Sequence, residues 1–167
     1  ADNTPISPSM DAETSAPEPH LSQELAAEGW IDLFDGESLF GWHSSDEEIN
    51  WSVENGAITA DSGPVGLLVT SVPFADFELL CEFRLAPEGN SGVFLRTSEK
   101  PEDLTADCYE LNIADTHPDG FTTGSLVARQ KLETPAQTPE PDAWQTFHVT
   151  CVGPNVVVKL DDQEVLK

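Results

Sequence analysis

The sequence predicts an antiparallel β-sandwich preceded by one short helix. Three observations carry this. From Trp30 onward, short runs of alternating apolar and polar residues recur at intervals of about ten, and no useful helical period follows Gly29. Turn residues separate the runs: Asp35-Gly36, Asn55-Gly56, Gly89-Asn90, Gly153-Pro154 and Asp161-Asp162. An apolar content of 38% over 167 residues is enough for one core. Many even strands without helices pair antiparallel and stack face to face.

The elements follow in chain order. Residues 1–28 hold six acids, four of the 13 prolines and no Lys, Arg or aromatic residue. Such a stretch cannot bury enough apolar surface to offset its ordering entropy, so residues 1–20 read as a disordered acidic tether. A helix then spans Gln23 to Glu28, capped by Ser22 and ended by Gly29. The sandwich occupies residues 21–167. Its expected strands are Ile31–Phe34, Trp51–Val53, Ala57–Ala60, Gly66–Thr70, Phe74–Leu85, Gly92–Thr97, Cys108–Ile113, Thr123–Gln130, Trp144–Val152 and Val156–Leu160, with Glu164–Leu166 as a final hairpin arm.

Charge excludes several functions. Thirty-one acids against seven Lys and Arg give a net charge of −24. Nucleic acid needs clustered cations that this chain lacks, and an anionic membrane surface would repel it. No apolar run approaches a membrane span of ~18 residues. The dense carboxylates keep the protein soluble and suit a salty environment, where salt screens their repulsion. The three cysteines, Cys81, Cys108 and Cys151, show no C-x-x-C or metal spacing. Either Cys81 pairs with Cys151, or all three are buried thiols, the blander reading. A tether starting without Met fits an exported protein.

Strand parity sorts the side chains. Phe77, Leu79, Cys81, Phe83 and Leu85 share one face, and Glu78, Leu80, Glu82 and Arg84 the other. Val93 and Leu95 oppose Phe94 and Arg96. Tyr109, Leu111 and Ile113 oppose Cys108, Glu110 and Asn112. A face carrying Arg84, Arg96, Glu110 and Asn112 is either a binding surface or a solvated outer face with ion pairs. The tryptophans (Trp30, Trp42, Trp51, Trp144) stand at strand starts and read as core rather than sugar-stacking platforms. His43 and His148 show no partner in the sequence.

Together these segments resemble the 3-keto-disaccharide hydrolase family of bacterial exported proteins, formerly a domain of unknown function. The resemblance rests on residues 21–36 (LSQELAAEGWIDLFDG) with Gly41-Trp42, on Trp51-Ser-Val-Glu-Asn-Gly56, and on Asp76 to Arg84. It continues through Gly89-Asn-Ser-Gly-Val-Phe-Leu-Arg96, Tyr109 to Asp115 with His117-Pro118-Asp119, Thr123-Gly124, Trp144-Gln-Thr-Phe147 and Val157-Val-Lys-Leu160. It covers residues 21 to about 166. The family implies a concanavalin A-like sandwich (a jelly roll) with a site on its concave face. It implies cleavage of 3-keto-glycosides or 3-keto-disaccharides, in a periplasmic or extracellular location with the N-terminal segment as a tether.

That chemistry asks for a base and a cation. A ketone at sugar carbon 3 acidifies the proton on carbon 2; its removal gives an enediolate, and the aglycone leaves carbon 1. The parity argument offers Glu110 as base, with an ion pair to Arg84 or Arg96 as its structural alternative. Arg96 is the candidate for the developing oxyanion, and Arg84 and Asn112 for ketone and hydroxyl oxygens. His117 suits proton relay. Asp115 orients His117, binds substrate or caps a turn. No cofactor is certain; Glu110, Asp115 and His117 are the donors a divalent ion could meet. The alternative function is a non-catalytic carbohydrate-binding module on the same fold.

Two departures from the family pattern stand out. Asp142-Ala143-Trp144 lacks the family's glycine before the tryptophan, and the Pro/Thr-rich loop from Lys131 to Pro141 offers no sugar-binding signature. The family also continues for roughly two strands beyond Lys167, so the natural product is expected to be longer. Oligomeric state is not legible.

Overall fold

Ser22 accepts a hydrogen bond from the Leu25 N–H at 3.1 Å, and Gly29, at φ 99°, ends the helix α1 (Gln23–Glu28) as its cap residues dictate. The computed structural model describes residues 21–98, 101–103, 105–134, 139–140 and 143–167. The expected tether, residues 1–20, lies outside them. Everything regular after α1 is strand: β1 (Trp42–Ser44), β2 (Trp51–Glu54), β3 (Ala57–Ala60), β4 (Leu68–Thr70), β5 (Phe77–Phe83), β6 (Asn90–Leu95), β7 (Tyr109–Ala114), β8 (Gln145–Val152), β9 (Asn155–Leu160) and β10 (Gln163–Leu166). The described residues contain no helix long and apolar enough to cross a membrane.

All pairs are antiparallel. One sheet has the order β10-β9-β8-β5. The ribbon β6-β7 forms the opposing layer, while β1-β4 and β2-β3 are separate ribbons. The turns work as their residues require. Asn55 and Gly56 are both at positive φ, as are Asp161 and Asp162, which is the hairpin geometry that matches strand twist. Core side chains come from both layers: Phe83, Phe147, Val149, Cys151, Val158, Leu160 and Leu166 from one, Leu95, Leu111, Ile113 and Leu126 from the other. On β5 burial alternates, as the parity argument expects. Phe83 and Phe147 stack at 4.5 Å between centroids.

Several local expectations need correction. Ile31–Phe34 is not a strand; the chain turns there, with Asp35 accepting from the Glu37 and Ser38 N–H groups and the Trp42 indole donating to the Leu33 carbonyl at 2.6 Å. Segment 123–130 is not a regular strand either. It lies along the free edge of β7, donating from Val127 N to Glu110 O and from Gly124 N to Asn112 O, while Asn112 N donates to Ser125 O. Ala128 at φ 57° then breaks the run. The cysteines are all free. Register explains it: Cys81 faces Phe147 and Cys151 faces Phe77. Four strand residues, roughly 13 Å, separate the two thiols, beyond disulfide reach.

Flanked on both edges, β7 is buried on both faces. Leu111, Asn112, Ile113 and Ala114 are all buried. The second face of β7 is therefore no solvated exterior.

Candidate active site

Glu110 projects from β7 across β6. Gly92 stands diagonally opposite, and its missing side chain is what admits the carboxylate. A Cβ on Gly92 would lie 3.1 Å from Glu110 Cγ and 3.2 Å from Oε1. Burial pushes the Glu110 carboxyl above its ordinary range, and the nearby His117 pulls it partly back. His117 is the charged group that acts on it.

His117 sits on the loop after β7. Asp119 donates its backbone N–H to His117 Nδ1 at 3.1 Å, so the neutral ring carries its proton on Nε2. The Phe121 ring meets His117 edge-on, with centroids 5.6 Å apart and planes at 86°. Lys131 Nζ lies 4.9 Å from the Phe121 centroid. His117, Phe121 and Lys131 thus form one chain of contacts, and the His117 charge reaches Glu110, so a base, an imidazole, an aromatic surface and a cation share one region. Phe121 and Lys131 escaped the sequence reading. Both lie outside regular strands, where parity gives no orientation. The one available signal was that Lys131 is among only seven cations.

The remaining expected site residues go elsewhere. Arg96, at φ 52°, has left the strand alternation. Its guanidinium donates to the Gly153 carbonyl and to Asp76 Oδ1 at 3.1 Å, tying the end of β6 to the β8–β9 turn. Gly153 N also donates to Asp76 Oδ1 at 2.9 Å. Arg84 lies over the Trp144 ring, 5.2 Å from its centroid. The expected convergence of the arginines with Glu110 does not form, because positive φ turns Arg96 away and the Trp144 face holds Arg84. Asn112 is 1% exposed, and its amide donates to the Phe121 carbonyl, so it does not present itself to a ligand. Asp115 is exposed at the start of the loop, and the His117 ring is held by the Asp119 backbone instead.

Outside this cluster, His148 meets Glu78 at 3.1 Å and the Trp30 ring at 6.2 Å, on the outer face of the four-stranded sheet. The third arginine, Arg129, stacks 4.3 Å from the Tyr109 centroid and donates to the Ala106 and Cys108 carbonyls. Among the described residues, no group of three or more His, Cys, Asp or Glu side chains is placed to hold a metal ion. Glu110, Asp115 and His117 do not fit that role as arranged. The large exposed apolar residues include Phe40 and Val65 but no tryptophan.

Known proteins agree with this architecture. Residues 29–167 match the family described as 3-keto-alpha-glucoside-1,2-lyase-like domain. A 3-keto-disaccharide hydrolase of Bacteroides thetaiotaomicron is 29% identical over 122 residues, covering 59% of this chain and 42% of that protein. The chain thus spans under half the length of that curated relative. A crystal structure of a proposed glycosyl hydrolase from Parabacteroides distasonis superposes with a TM-score of 0.72 at 24% identity, covering 88% of this chain and 75% of the other. A second such structure from the same species gives 0.57 at 21% identity, covering 75% and 70%. At these identities the structures speak for the fold.

Proposed function

Because the chain belongs to the 3-keto-alpha-glucoside-1,2-lyase-like domain family, we propose that it cleaves the glycosidic bond of 3-keto-glycosides by removing the proton from sugar carbon 2. One observation carries the reading. Glu110, admitted to its place by the bare Gly92 and pushed up by burial, has an imidazole rather than a second carboxylate acting on it. An ordinary glycosidase needs two opposed carboxyl groups. A raised carboxylate with an imidazole in electrostatic reach suits abstraction next to a carbonyl.

The residues then take roles. Glu110 accepts the carbon 2 proton, and the C–H electron pair becomes the enediolate. That pair collapses to a carbon 1–carbon 2 double bond as the carbon 1–oxygen bond breaks. His117 directs its Nε2–H at the departing aglycone oxygen as a hydrogen-bond donor while Asp119 holds Nδ1, and the released oxygen takes its proton from solvent. Addition of water across the double bond completes net hydrolysis. Lys131, with Nζ 4.9 Å from the Phe121 centroid, is assigned to the enediolate oxygen, in place of Arg96. The Phe121 ring offers an apolar wall to the sugar.

The test is turnover of a 4-nitrophenyl 3-keto-glucoside, with the unoxidised glucoside as control. The keto substrate is consumed and the control is not. In D₂O the recovered keto substrate gains deuterium at carbon 2. Glu110→Gln lowers kcat by about 10²–10⁴-fold. Equal turnover of both substrates, or full activity in Glu110→Gln, refutes the assignment. Glycan binding without turnover favours a binding module.

A further inference from the structure

Asn112 is the most deeply buried polar residue of β7, and it spends its only hydrogen-bonded side-chain group on the loop that carries His117. Its Nδ2 donates to the Phe121 carbonyl. The neck of that loop is tied separately. Thr123 N donates to Ala114 O at 3.0 Å, and Ala114 N donates to Thr123 Oγ1 at 3.0 Å. Phe121 is the hub inside the neck, with His117 against its ring edge and Lys131 over its face.

A second observation separates this contact from ordinary packing. Asn112 Oδ1 is buried without a hydrogen-bond partner, and so is Oγ of Ser125, whose carbonyl accepts from Asn112 N. An unmet buried acceptor opposes folding. A leucine of similar volume would remove the unmet Oδ1, and it would also leave the Phe121 carbonyl without its donor. The two costs are of similar size, so net stability does not account for the amide, while loop placement does.

We propose that Asn112 is a positioning residue: its amide fixes Phe121, and through that ring it sets the places of His117 and Lys131 on the loops that flank the proposed base. The proposal rests on the function given above for Glu110 and His117. It replaces the sugar contact expected of Asn112 with an action through the loop. The titratable groups that interact with Glu110 are His117 from the loop after β7 and Cys108 just before β7.

Asn112→Leu and Phe121→Leu test it in the full chain. The first removes the donor and the unmet acceptor together. The second keeps the accepting carbonyl and removes the ring. The measurements are melting temperature, kcat and KM on the 4-nitrophenyl 3-keto-glucoside, and a ¹³C NMR titration of the Glu110 carboxyl. Asn112→Leu shifts the melting temperature by no more than a few degrees, while kcat falls about 10-fold or more and KM changes less than about 3-fold, the pattern of misplaced chemistry. Its Glu110 titration shifts, because a loosened loop changes both the burial that raises the carboxyl and the His117 charge that lowers it. Phe121→Leu lowers kcat in the same direction. Unchanged kcat and unchanged Glu110 titration in Asn112→Leu overturn the proposal. If Asn112→Leu does not fold, Phe121→Leu decides: unchanged kcat and titration there overturn it. If the wild type does not turn over the keto substrate, the function reading fails, and the Glu110 titration alone decides the positioning role.

Discussion

Replacing Gly92 by alanine asks whether Glu110 must lie flat across β6. Gly92 is not among the positive-φ glycines, so alanine meets no backbone penalty there. The new Cβ would stand 3.1 Å from Glu110 Cγ, 3.2 Å from Glu110 Oε1 and 3.1 Å from the Leu111 carbonyl oxygen. Comfortable carbon–carbon separations are roughly 3.5–4.0 Å, so about half an ångström is missing. Leu111 O is fixed by the pairing of β6 with β7, and the side chain of Glu110 must yield. A carboxylate displaced by about 0.5–1 Å loses about 10- to 100-fold in rate. Stability changes little by comparison. Overpacking costs about 1–3 kcal/mol, offset by the roughly 0.5–1 kcal/mol that alanine gains over glycine in a strand. Steady-state kinetics on the 4-nitrophenyl 3-keto-glucoside, with a melting curve, read both effects. Expected are a kcat at least about 10-fold lower and a melting temperature within a few degrees. A Gly92→Ala protein with wild-type kcat, while Glu110→Gln is inactive, would refute the claim that the glycine sets the position of the base.

Four further outcomes follow from the same geometry. Burial raises the Glu110 carboxyl, so folding favours its protonated form; the two states are matched at low pH, and the wild type loses stability as pH rises through that group. Glu110→Gln escapes this loss, so its melting temperature exceeds that of the wild type at neutral pH and the gap closes on acidification. Arg96→Lys cannot serve Asp76 and Gly153 together and costs about 1 kcal/mol in denaturant melts, with kcat within about two-fold; a hundred-fold fall in a folded variant would return Arg96 to the chemistry. Lys131→Gln lowers kcat about 10- to 100-fold while Lys131→Arg retains most of it; equal kcat in Lys131→Gln and wild type removes the cation from the mechanism. The thiols resist alkylation at pH 8, since burial holds Cys81 up at about 11 and raises Cys108 and Cys151, and all three react in guanidinium; native-state labelling of Cys81 would contradict its burial.

Much of the scaffold was legible because its signals are local. Ser22 and Gly29 bracket α1, and the Asn55-Gly56 and Asp161-Asp162 pairs set their hairpins. On β5, alternation alone separated the buried Phe77–Phe83 face from Glu78 and Glu82. The site was legible only in part. Glu110 and His117 could be named from their motif. Their meeting depends on a loop whose path is fixed by Asn112 and Thr123, contacts that no periodicity encodes. Parity failed at Arg96 because positive φ ends the alternation, and it failed at Asn112 because the loop at Phe121 comes back onto its side chain. Segment 123–127 carries the composition of a strand and makes the bonds of one at intervals, which is why the sequence overstated it.

The pairing of β5 with β8 has a consequence for how the part that carries the proposed site can change. Phe83 faces Gln145, so the whole stretch from Arg84 to Trp144 departs from one strand and returns to its immediate neighbour. Gly92, Glu110, Asn112, His117, Phe121 and Lys131 all lie inside that excursion. The clasp that bounds it involves none of them. Closing so long a loop is costly only once, and lengthening it costs little more. The excursion is therefore a cassette: its loops can be lengthened, exchanged or re-equipped with different reactive groups while β5, β8, β9 and β10 keep their ladder. Substrate range in proteins of this architecture is expected to diverge within the cassette and to leave the clasp unaltered.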